Sequence, residues 1–356
     1  MRALLVALAL AAAPAAAQTR YTGDRVDGVP VIDRLDAAAL APGIYRFWFR
    51  AGESALGHGW YVPVLVVRGA KPGPKLLLTA AVHGDELNGI DVIHRLVATL
   101  DPKSMVGTLT TVPGVNTPGL LQGQREFSSI AAPGLNLNRI MPGDEAADDA
   151  AQRYAGRLWN RIFKPNADTA VDLHTQSRGT AYVLYAFAEA GRPQEIARLM
   201  RPDIIKLDPG DKGTVENELN RVGIPSITLE LGKPDAFDPE MIARGVAGVR
   251  NLMVDLKMIE GAITPPVATY EANAISVVRT PRGGIARLLV SLGASVEKGQ
   301  PVATVSDAFG LNPVTLTAPV AGRVNTIATN PLREPGAMVM RIVYQSDDPG
   351  CRAKGC

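Results

Sequence analysis

The sequence predicts an α/β fold, in which a mixed, mostly parallel sheet carries helices on both faces and is followed by a small all-β barrel or sandwich domain. Two observations indicate this class. Between residues 44 and 259, strand-like apolar runs alternate with stretches of helical periodicity, as in a mostly parallel sheet covered by helices. After Gly261 the pattern changes to short strands and glycine-rich turns, and Thr264-Pro265-Pro266 reads as a linker.

The elements can be assigned in chain order, beginning with an irregular lead-in over residues 18 to about 40. Strands rich in β-branched, aromatic and other apolar residues are predicted at 44–49, 60–67, 75–82, 106–112, 169–173, 182–188, 204–207 and 224–229. Helices are predicted from apolar periodicity and capping residues at 87–100, 146–163, 193–200, 214–222 and 239–259. Residues 113–133 are expected to form a long polar loop, and such loops inside a domain are usually functional or disordered.

Length and composition exclude some classes of protein. The chain has 356 residues, of which 46% are hydrophobic and 20% charged, the balance of an ordinary globular protein. This length suffices for two or three domains, or for one large domain with an appendage. The net charge of +2 argues against a nucleic-acid-binding protein, which would need a strongly basic face.

The N-terminus resembles a secretory signal peptide over residues 1–17. Arg2 precedes an apolar run, and Ala15-Ala16-Ala17 offers a small-residue cleavage site before Gln18. The alternative is a membrane-anchoring helix, but the run is too short to span a bilayer well, and no other stretch is long and apolar enough. The expected location is therefore periplasmic or secreted. In that compartment Cys351 and Cys356 either form a disulfide or remain two unpaired tail thiols.

Polar residues that follow two of the predicted strands indicate a metal site. The strand 75–82 runs into His83-Gly84-Asp85-Glu86, where His83 and Glu86 are three residues apart and can bind the same ion. The strand 169–173 ends in His174, the natural third ligand. Catalytic zinc takes three nitrogen or oxygen ligands from the protein and leaves a position for water, so we expect one zinc ion per chain. Asp172 shares a strand face with His174 and could orient its imidazole.

Other polar residues are candidates for the chemistry around that ion. Glu230 ends the strand 224–229 and could take a proton from zinc-activated water; alternatively, it pairs with a Lys or Arg. Arg125 and Arg139 could donate to an oxyanion or to a substrate carboxylate, although exposed arginines are usually only solvated. His58, in a loop, and His94, on a helix flank, are interpreted as structural or surface residues.

Four short motifs in this order resemble the succinylglutamate desuccinylase/aspartoacylase family, a branch of the zinc carboxypeptidase clan. The resemblance covers roughly residues 40 to 260. It is carried by His83-Gly84-Asp85-Glu86, Asn138-Arg139, Asp172-Leu173-His174-Thr175 and Glu230-Leu231-Gly232.

The resemblance implies a role for each matching residue. His83, Glu86 and His174 would bind zinc, which leaves Asp85 out of the ligand set. Glu230 would act as general base and acid, and Arg125 would polarise the scissile carbonyl. Asn138 and Arg139 would hold a substrate carboxylate.

The C-terminal part, residues 270–343, is similar to a biotinyl/lipoyl-type fold. Two segments, 282–289 and 318–325, echo each other and suggest a sandwich of two similar halves. The hairpin at Ser306–Gly310 carries no lysine, so no lipoyl or biotinyl group is expected there. This part is expected to shape the cleft or an oligomer contact. The expected domains are a signal peptide (1–17), a zinc-dependent catalytic domain (18–262), a β-rich appendage (263–345) and a tail (346–356).

Together these patterns predict an exported zinc-dependent hydrolase that cleaves the amide bond of a small, carboxylate-bearing N-acyl amino acid. Glu230 would be the general base and acid. The alternative is a zinc carboxypeptidase acting on peptides or cell-wall fragments. A third interpretation is a non-catalytic protein that captures a carboxylate ligand in the same cleft. The expected partner is an N-acyl amino acid or short peptide, with no nucleic acid and no membrane span after signal cleavage, and a homo-oligomer is left open.

Overall fold

The computed structural model describes residues 18–129, 133–265 and 268–356. The predicted signal peptide, part of the predicted 113–133 loop and Pro266 of the predicted linker lie outside these ranges. The strands are β1 (Arg20–Val26), β2 (Val29–Arg34), β3 (Gly43–Glu53), β4 (Gly59–Arg68), β5 (Lys71–Ala80), β6 (Val106–Val112), β7 (Thr169–His174), β8 (Thr180–Tyr182), β9 (Leu184–Ala188), β10 (Ile204–Leu207), β11 (Ser226–Leu231), β12 (Tyr270–Ala272), β13 (Ala274–Arg279), β14 (Gly284–Leu288), β15 (Ser295–Val296), β16 (Pro301–Ser306), β17 (Val314–Thr317), β18 (Gly322–Ala328), β19 (Leu332–Arg333) and β20 (Met338–Tyr344). The α-helices are α1 (Asn88–Ala98), α2 (Thr117–Gln122), α3 (Ala150–Leu158), α4 (Arg192–Leu199), α5 (Val215–Arg221), α6 (Pro239–Asp255) and α7 (Pro349–Lys354).

The larger part of the molecule is built on one sheet of eleven strands in the order β1-β2-β3-β4-β6-β5-β7-β11-β9-β10-β12. Its central strands β6, β5, β7 and β11 run parallel, and so do β9, β10 and β12. Antiparallel pairs occur between β3 and β4, β4 and β6, and β11 and β9. The prediction of a mixed, mostly parallel sheet is confirmed.

The central strands are buried on both faces, as expected for parallel strands between two helical layers. Successive residues of β5 show this: Leu77 packs into one apolar core, and Leu76 and Leu78 pack into the other. The first core also contains residues of α3 and α5, and the second contains residues of α1, α4 and α6. The helices therefore cover both faces of the sheet, as predicted.

The C-terminal part forms two antiparallel sheets around a core of its own. One sheet has the order β13-β20-β18-β15, and the other has the order β17-β16-β14-β19. Between them pack apolar residues such as Val302, Val324 and Ile342. The two echoing segments become β14 and β18, one in each sheet.

Two short strands connect these parts of the molecule. The strand β8, which follows His174 in the chain, pairs antiparallel with β18 of the C-terminal sheet. The strand β12, which follows the linker, instead pairs with β10 at the edge of the large sheet. The C-terminal part is therefore joined to the large sheet by backbone hydrogen bonds as well as by the chain.

Four local expectations were wrong. The loop expected over residues 113–133 contains the helix α2, which Asn116 caps by accepting from Gly119 N at 3.0 Å. The lead-in over residues 18–40, expected to be irregular, contains the hairpin β1–β2. Val31 and Ile32 of β2 are buried, but β1 is almost wholly exposed, so its sequence shows little alternation of apolar and polar residues. The strand expected at 182–188 is divided at Val183, where the chain leaves the C-terminal sheet for the large one. Asp149 caps α3 by accepting from Gln152 N at 2.8 Å, so the helix begins four residues later than expected.

The tail is ordered against the junction of the two parts. Cys351 and Cys356 form a disulfide, which decides the alternative left open by the sequence. The backbone N–H of Cys356 donates to Asn273 O at 2.7 Å, and its carbonyl accepts from Ile275 N at 3.1 Å. Within the described ranges, no helix combines the length and apolar character needed to cross a membrane.

The packing of α1 on the sheet depends on a glycine. A Cβ at Gly89 would lie 2.7 Å from Leu173 Cβ and 3.0 Å from Ala80 Cβ. Gly89→Ala should therefore lower the free energy of unfolding by about 1–3 kcal/mol, because the helix must move away from β5 and β7. Chemical denaturation measures this change. The matched control is His94→Ala on the exposed side of the same helix, expected to stay within about 0.5 kcal/mol of wild type. Equal stability of the two variants would contradict this close approach.

Candidate active site

The predicted site residues meet at the carboxyl ends of β5, β7 and β11. His174 and Glu230 are direct partners in the parallel ladder between β7 and β11. Their neighbours Leu173 and Leu229 point into the core on the other face, so strand alternation turns His174 and Glu230 to the face covered by α3 and α5. The sequence-based expectation that these strand ends come together is thus met in the structure.

A tight turn after β5 delivers His83 to this edge. Ala81 has a left-handed conformation with φ of 55°. The carbonyls of Ala80 and Ala81 accept hydrogen bonds from the backbone N–H groups of Val115 and Asn116, at 3.0 and 2.9 Å. A Cβ at residue 84 would lie only 2.1 Å from the backbone of Gly119. Only a glycine fits between His83 and the start of α2.

His83, Glu86 and His174 form a compact, buried group that could hold a metal ion. Their potential ligand atoms all lie within 4.8 Å of one another, and none of the three residues is more than 3% exposed. Glu86 lies between the two imidazoles: its Oε1 is 2.9 Å from His83 Nδ1, and its Oε2 is 2.8 Å from His174 Nδ1.

The outer nitrogens of both imidazoles are held by oxygens. His83 Nε2 is 3.2 Å from Asn136 Oδ1, and His174 Nε2 is 2.7 Å from Asp172 Oδ2. Each Nε2 can donate to one of these oxygens, which leaves each Nδ1 facing Glu86 as a possible metal ligand. Two imidazole nitrogens and a carboxylate that face one another suit a cation, so the residues present fit a metal ion.

Asn136 was not identified from the sequence. The orientation of its carboxamide is supported by a second hydrogen bond, since Oδ1 also accepts from Asn138 N at 2.9 Å. No local pattern distinguishes Asn136 from the other polar residues of its loop. Only the long-range approach to His83 reveals its role.

Arg125 reaches the group from the loop after α2. Its Nη1 lies 3.1 Å from both Glu86 Oε1 and His83 Nδ1, and it also contacts Ser177 Oγ. Two further donors hold Glu86: Ser177 Oγ at 2.9 Å and the backbone N–H of Thr175 at 3.1 Å. Ser177 is a second residue that sequence analysis missed.

The surroundings shift the pKa values of the two glutamates of the site in opposite directions. Burial opposes the charge of Glu86, but the two adjacent imidazoles outweigh it and hold the pKa of Glu86 well below its usual value. Burial raises the pKa of Glu230 well above its usual value. Its Oε2 has no hydrogen-bond partner among residues 18–129, 133–265 and 268–356, so no Lys or Arg pair of the kind considered from the sequence is present there. Environments that separate two carboxyl pKa values in this way are typical of acid–base sites.

Asn138 and Arg139 line the same cavity but differ in exposure. Asn138 is 5% exposed, and its Oδ1 accepts from Val215 N at 2.9 Å, where α5 begins. The Arg139 side chain is 43% exposed and pairs with Asp211 at 2.5 Å. Asp85 lies outside the metal group, and its Oδ2 accepts from Arg178 N at 3.3 Å.

The cavity in front of these residues has a volume of about 310 Å³. Glu216 contributes a buried carboxyl whose oxygens have no partner in the described ranges, and burial raises the pKa of Glu216 to about 7. Ile275 and Arg341, from β13 and β20, close the cavity from the C-terminal part. These three were not anticipated from the sequence. His58 and His94 are exposed and outside the site, as expected.

Comparison with known proteins identifies the same family as the motifs. A family model described as the succinylglutamate desuccinylase/aspartoacylase catalytic domain matches residues 72–256. The N-alpha-acetyl-L-2,4-diaminobutyric acid deacetylase of Halomonas elongata is 28% identical over 286 residues, which cover 77% of this chain and 82% of that protein. The succinylglutamate desuccinylase of Pseudomonas aeruginosa is 29% identical over 185 residues, covering 46% of this chain and 52% of that protein.

Solved structures share this fold over most of the chain. The product-bound ectoine utilization protein EutE (DoeB) from Ruegeria pomeroyi matches with a TM-score of 0.76 and 25% identity, over 86% of this chain and 97% of that chain. A succinylglutamate desuccinylase/aspartoacylase from Rhodobacter sphaeroides matches in fold with a TM-score of 0.75 and 23% identity, over 86% and 97% of the two chains. Since the family model spans more than half of the sequence, this chain belongs to the succinylglutamate desuccinylase/aspartoacylase family.

Proposed function

We propose that this protein is an exported, zinc-dependent hydrolase that cleaves the amide bond of a small, carboxylate-bearing N-acyl amino acid. The observation that carries the proposal is the convergence of His83, Glu86 and His174 within 4.8 Å, beside the buried carboxyl of Glu230. Two imidazole nitrogens and one carboxylate form a ligand set found in catalytic zinc sites.

In this proposal His83, Glu86 and His174 would hold the ion, since the Nδ1 atoms of the two imidazoles lie 2.9 and 2.8 Å from the Glu86 carboxylate. Asn136 and Asp172 keep the imidazoles in the required tautomer through the outer nitrogens. Lewis-acid activation of water and of the amide carbonyl is the chemistry that zinc provides in such sites.

Glu230 transfers the protons of the reaction. Its carboxylate takes a proton from the attacking water and then delivers it to the departing amine nitrogen. The raised pKa of Glu230 supports this role, because burial makes its carboxylate a stronger base toward the proton of water. The unpartnered Oε2 is free to make the required hydrogen bond.

The cationic and amide groups orient the substrate. Arg125 would donate to the carbonyl oxygen as negative charge develops on it, and the distance of 3.1 Å between its Nη1 and Glu86 Oε1 supports this role. Asn138 can offer its Nδ2 to a substrate carboxylate, because its Oδ1 already accepts from Val215. Arg139 is the second carboxylate donor in this proposal.

The names of the relatives support the substrate class. One relative is a deacetylase of N-alpha-acetyl-L-2,4-diaminobutyric acid, and another is a succinylglutamate desuccinylase. Both names describe removal of an acyl group from an amino acid. A cavity of about 310 Å³ suits a ligand of that size better than a long peptide.

Export is supported by the sequence of residues 1–17 and by the disulfide between Cys351 and Cys356. Structural disulfides persist in oxidising compartments such as the periplasm.

Loss of either ligand histidine should remove the metal. His83→Ala and His174→Ala should each reduce bound zinc from about one ion per chain to a small fraction, because two ligands bind zinc far more weakly than three. Elemental analysis of purified protein measures the stoichiometry. The matched controls are His58→Ala and His94→Ala, which should keep the wild-type content. Full zinc retention in His83→Ala or His174→Ala would refute the ligand assignment.

Glu230→Gln should keep zinc and lose hydrolysis. The amide has nearly the shape of the carboxylate but cannot accept the proton from water, so turnover should fall by about 100-fold or more. Amine release from a panel of N-acyl amino acids and short peptides measures activity and tests the substrate class. Near-normal turnover of the variant would exclude Glu230 as the base, and release from peptides alone would favour a carboxypeptidase.

The mature chain should begin near Gln18. Intact-mass and N-terminal analysis of the protein from a periplasmic fraction measure the cleavage position. A variant without residues 2–17 is the control and should stay in the cytoplasm. A periplasmic form that retains residues 1–17 would show that they are an anchor and not a cleaved signal.

A further inference from the structure

Arg341 is the charged residue that the C-terminal part contributes to the lining of the active-site cavity. It lies on β20 and lines the cavity together with Glu230 and His174. Its Nη1 donates to the hydroxyl of Tyr182 at 3.1 Å. Tyr182 belongs to β8, the short strand that the larger part of the molecule contributes to the C-terminal sheet.

The strand register explains why these two side chains meet. Thr326 of β18 pairs with Tyr182 of β8 on one side and with Arg341 of β20 on the other. Directly paired residues of antiparallel strands share a face of the sheet. Tyr182, Thr326 and Arg341 therefore form one row across three strands. Thr326, in the middle, has a short side chain, so the longer side chains of Tyr182 and Arg341 meet above it. A register shift between Val324 and Thr326 sets this alignment.

Arg341 differs from the other cations of the cavity in having no carboxylate partner. Arg125 pairs with Glu86, Arg139 with Asp211, and Lys206 with Asp208. Within the described ranges, no acidic side chain lies within ion-pair distance of Arg341. A half-buried guanidinium with unused donors, beside a tyrosine hydroxyl, is a site for an anion.

We propose that Arg341, together with the hydroxyl of Tyr182, binds a carboxylate of the substrate and so sets the specificity of the enzyme from the C-terminal domain. This inference rests on the proposed function, since it names a recognition element for the same amide substrate. The guanidinium presents a planar set of donors that matches a carboxylate in two-point contact. Tyr182, whose oxygen accepts from Arg341, can donate its own proton to the same carboxylate.

The carboxylate can come from two places in the substrate. It is either the α-carboxylate of the amino acid or a carboxylate at the far end of a dicarboxylic acyl group. Four compounds separate the two sources: N-acetyl-L-alanine, N-succinyl-L-alanine, and the two corresponding alaninamides, which lack the α-carboxylate.

The experiment measures kcat and KM for these compounds with wild type, Arg341→Gln, Arg341→Lys and the matched control Arg279→Gln. Arg279 lies on the neighbouring strand β13, is exposed, and does not line the cavity. Arg341→Gln should raise KM by about tenfold or more for every compound that carries the recognised carboxylate, with a smaller change in kcat. KM for N-acetyl-L-alaninamide, which has no carboxylate, should stay at the wild-type value. Arg341→Lys, which keeps the charge, should recover part of the loss.

Two kinetic outcomes would overturn the proposal: unchanged KM values for all four compounds, or an equal rise that includes N-acetyl-L-alaninamide. The second outcome would indicate a purely structural role for Arg341, and thermal unfolding of each variant reports any such damage directly.

A binding measurement separates this inference from the proposed function. If wild type releases amine from none of the four compounds, the proposed function fails for them, and calorimetric titration of the zinc-loaded proteins with succinate decides on Arg341. Weaker succinate binding by Arg341→Gln than by wild type and Arg279→Gln supports the site. Equal affinity, or no binding by wild type, overturns it. Succinamide, which is uncharged, controls for contacts that do not depend on the carboxylate.

Discussion

The burial of one carboxylate organises this site. Glu86 is 1% exposed, and a buried charge is tolerated only when partners satisfy it. Its two oxygens are approached by His83, His174, Arg125, Ser177 and the backbone N–H of Thr175. These groups come from the ends of two strands and from the long loop after β6. The need to satisfy Glu86 therefore places three distant segments of the chain at the same edge of the sheet.

The two imidazoles are oriented by polar side chains that contact their outer nitrogens. Asp172 accepts from His174 and from Thr79 Oγ1, the latter at 2.6 Å, so its two oxygens connect β5 to β7 beneath the site. Asn136 does the same for His83 from the loop side. Because both imidazoles are already held at their outer nitrogens, they would lose little conformational freedom if a cation bound between them.

Local sequence patterns predicted the strand ends well and the long-range contacts poorly. The strands before His83, His174 and Glu230 are buried on both faces, so each appears in the sequence as an apolar run. The polar residue that ends such a run marks both the end of the strand and a residue of the site. Asn136 and Arg341 carry no such signal. Their roles depend on how a loop folds over His83 and on how β18 aligns β8 with β20, and both contacts join residues far apart in the sequence.

The C-terminal part and the larger part of the molecule each contribute a short strand to the sheet of the other. The larger part contributes β8 to the smaller sheet, and the chain beyond the linker returns β12 to the larger one. Neither part has all its backbone hydrogen-bond partners without the other. An insertion or deletion that shifted β20 by one residue would turn Arg341 to the opposite face of its sheet. A substrate preference set by Arg341 would thereby depend on sheet register in the C-terminal part, which contributes no residue to the group of His83, Glu86 and His174.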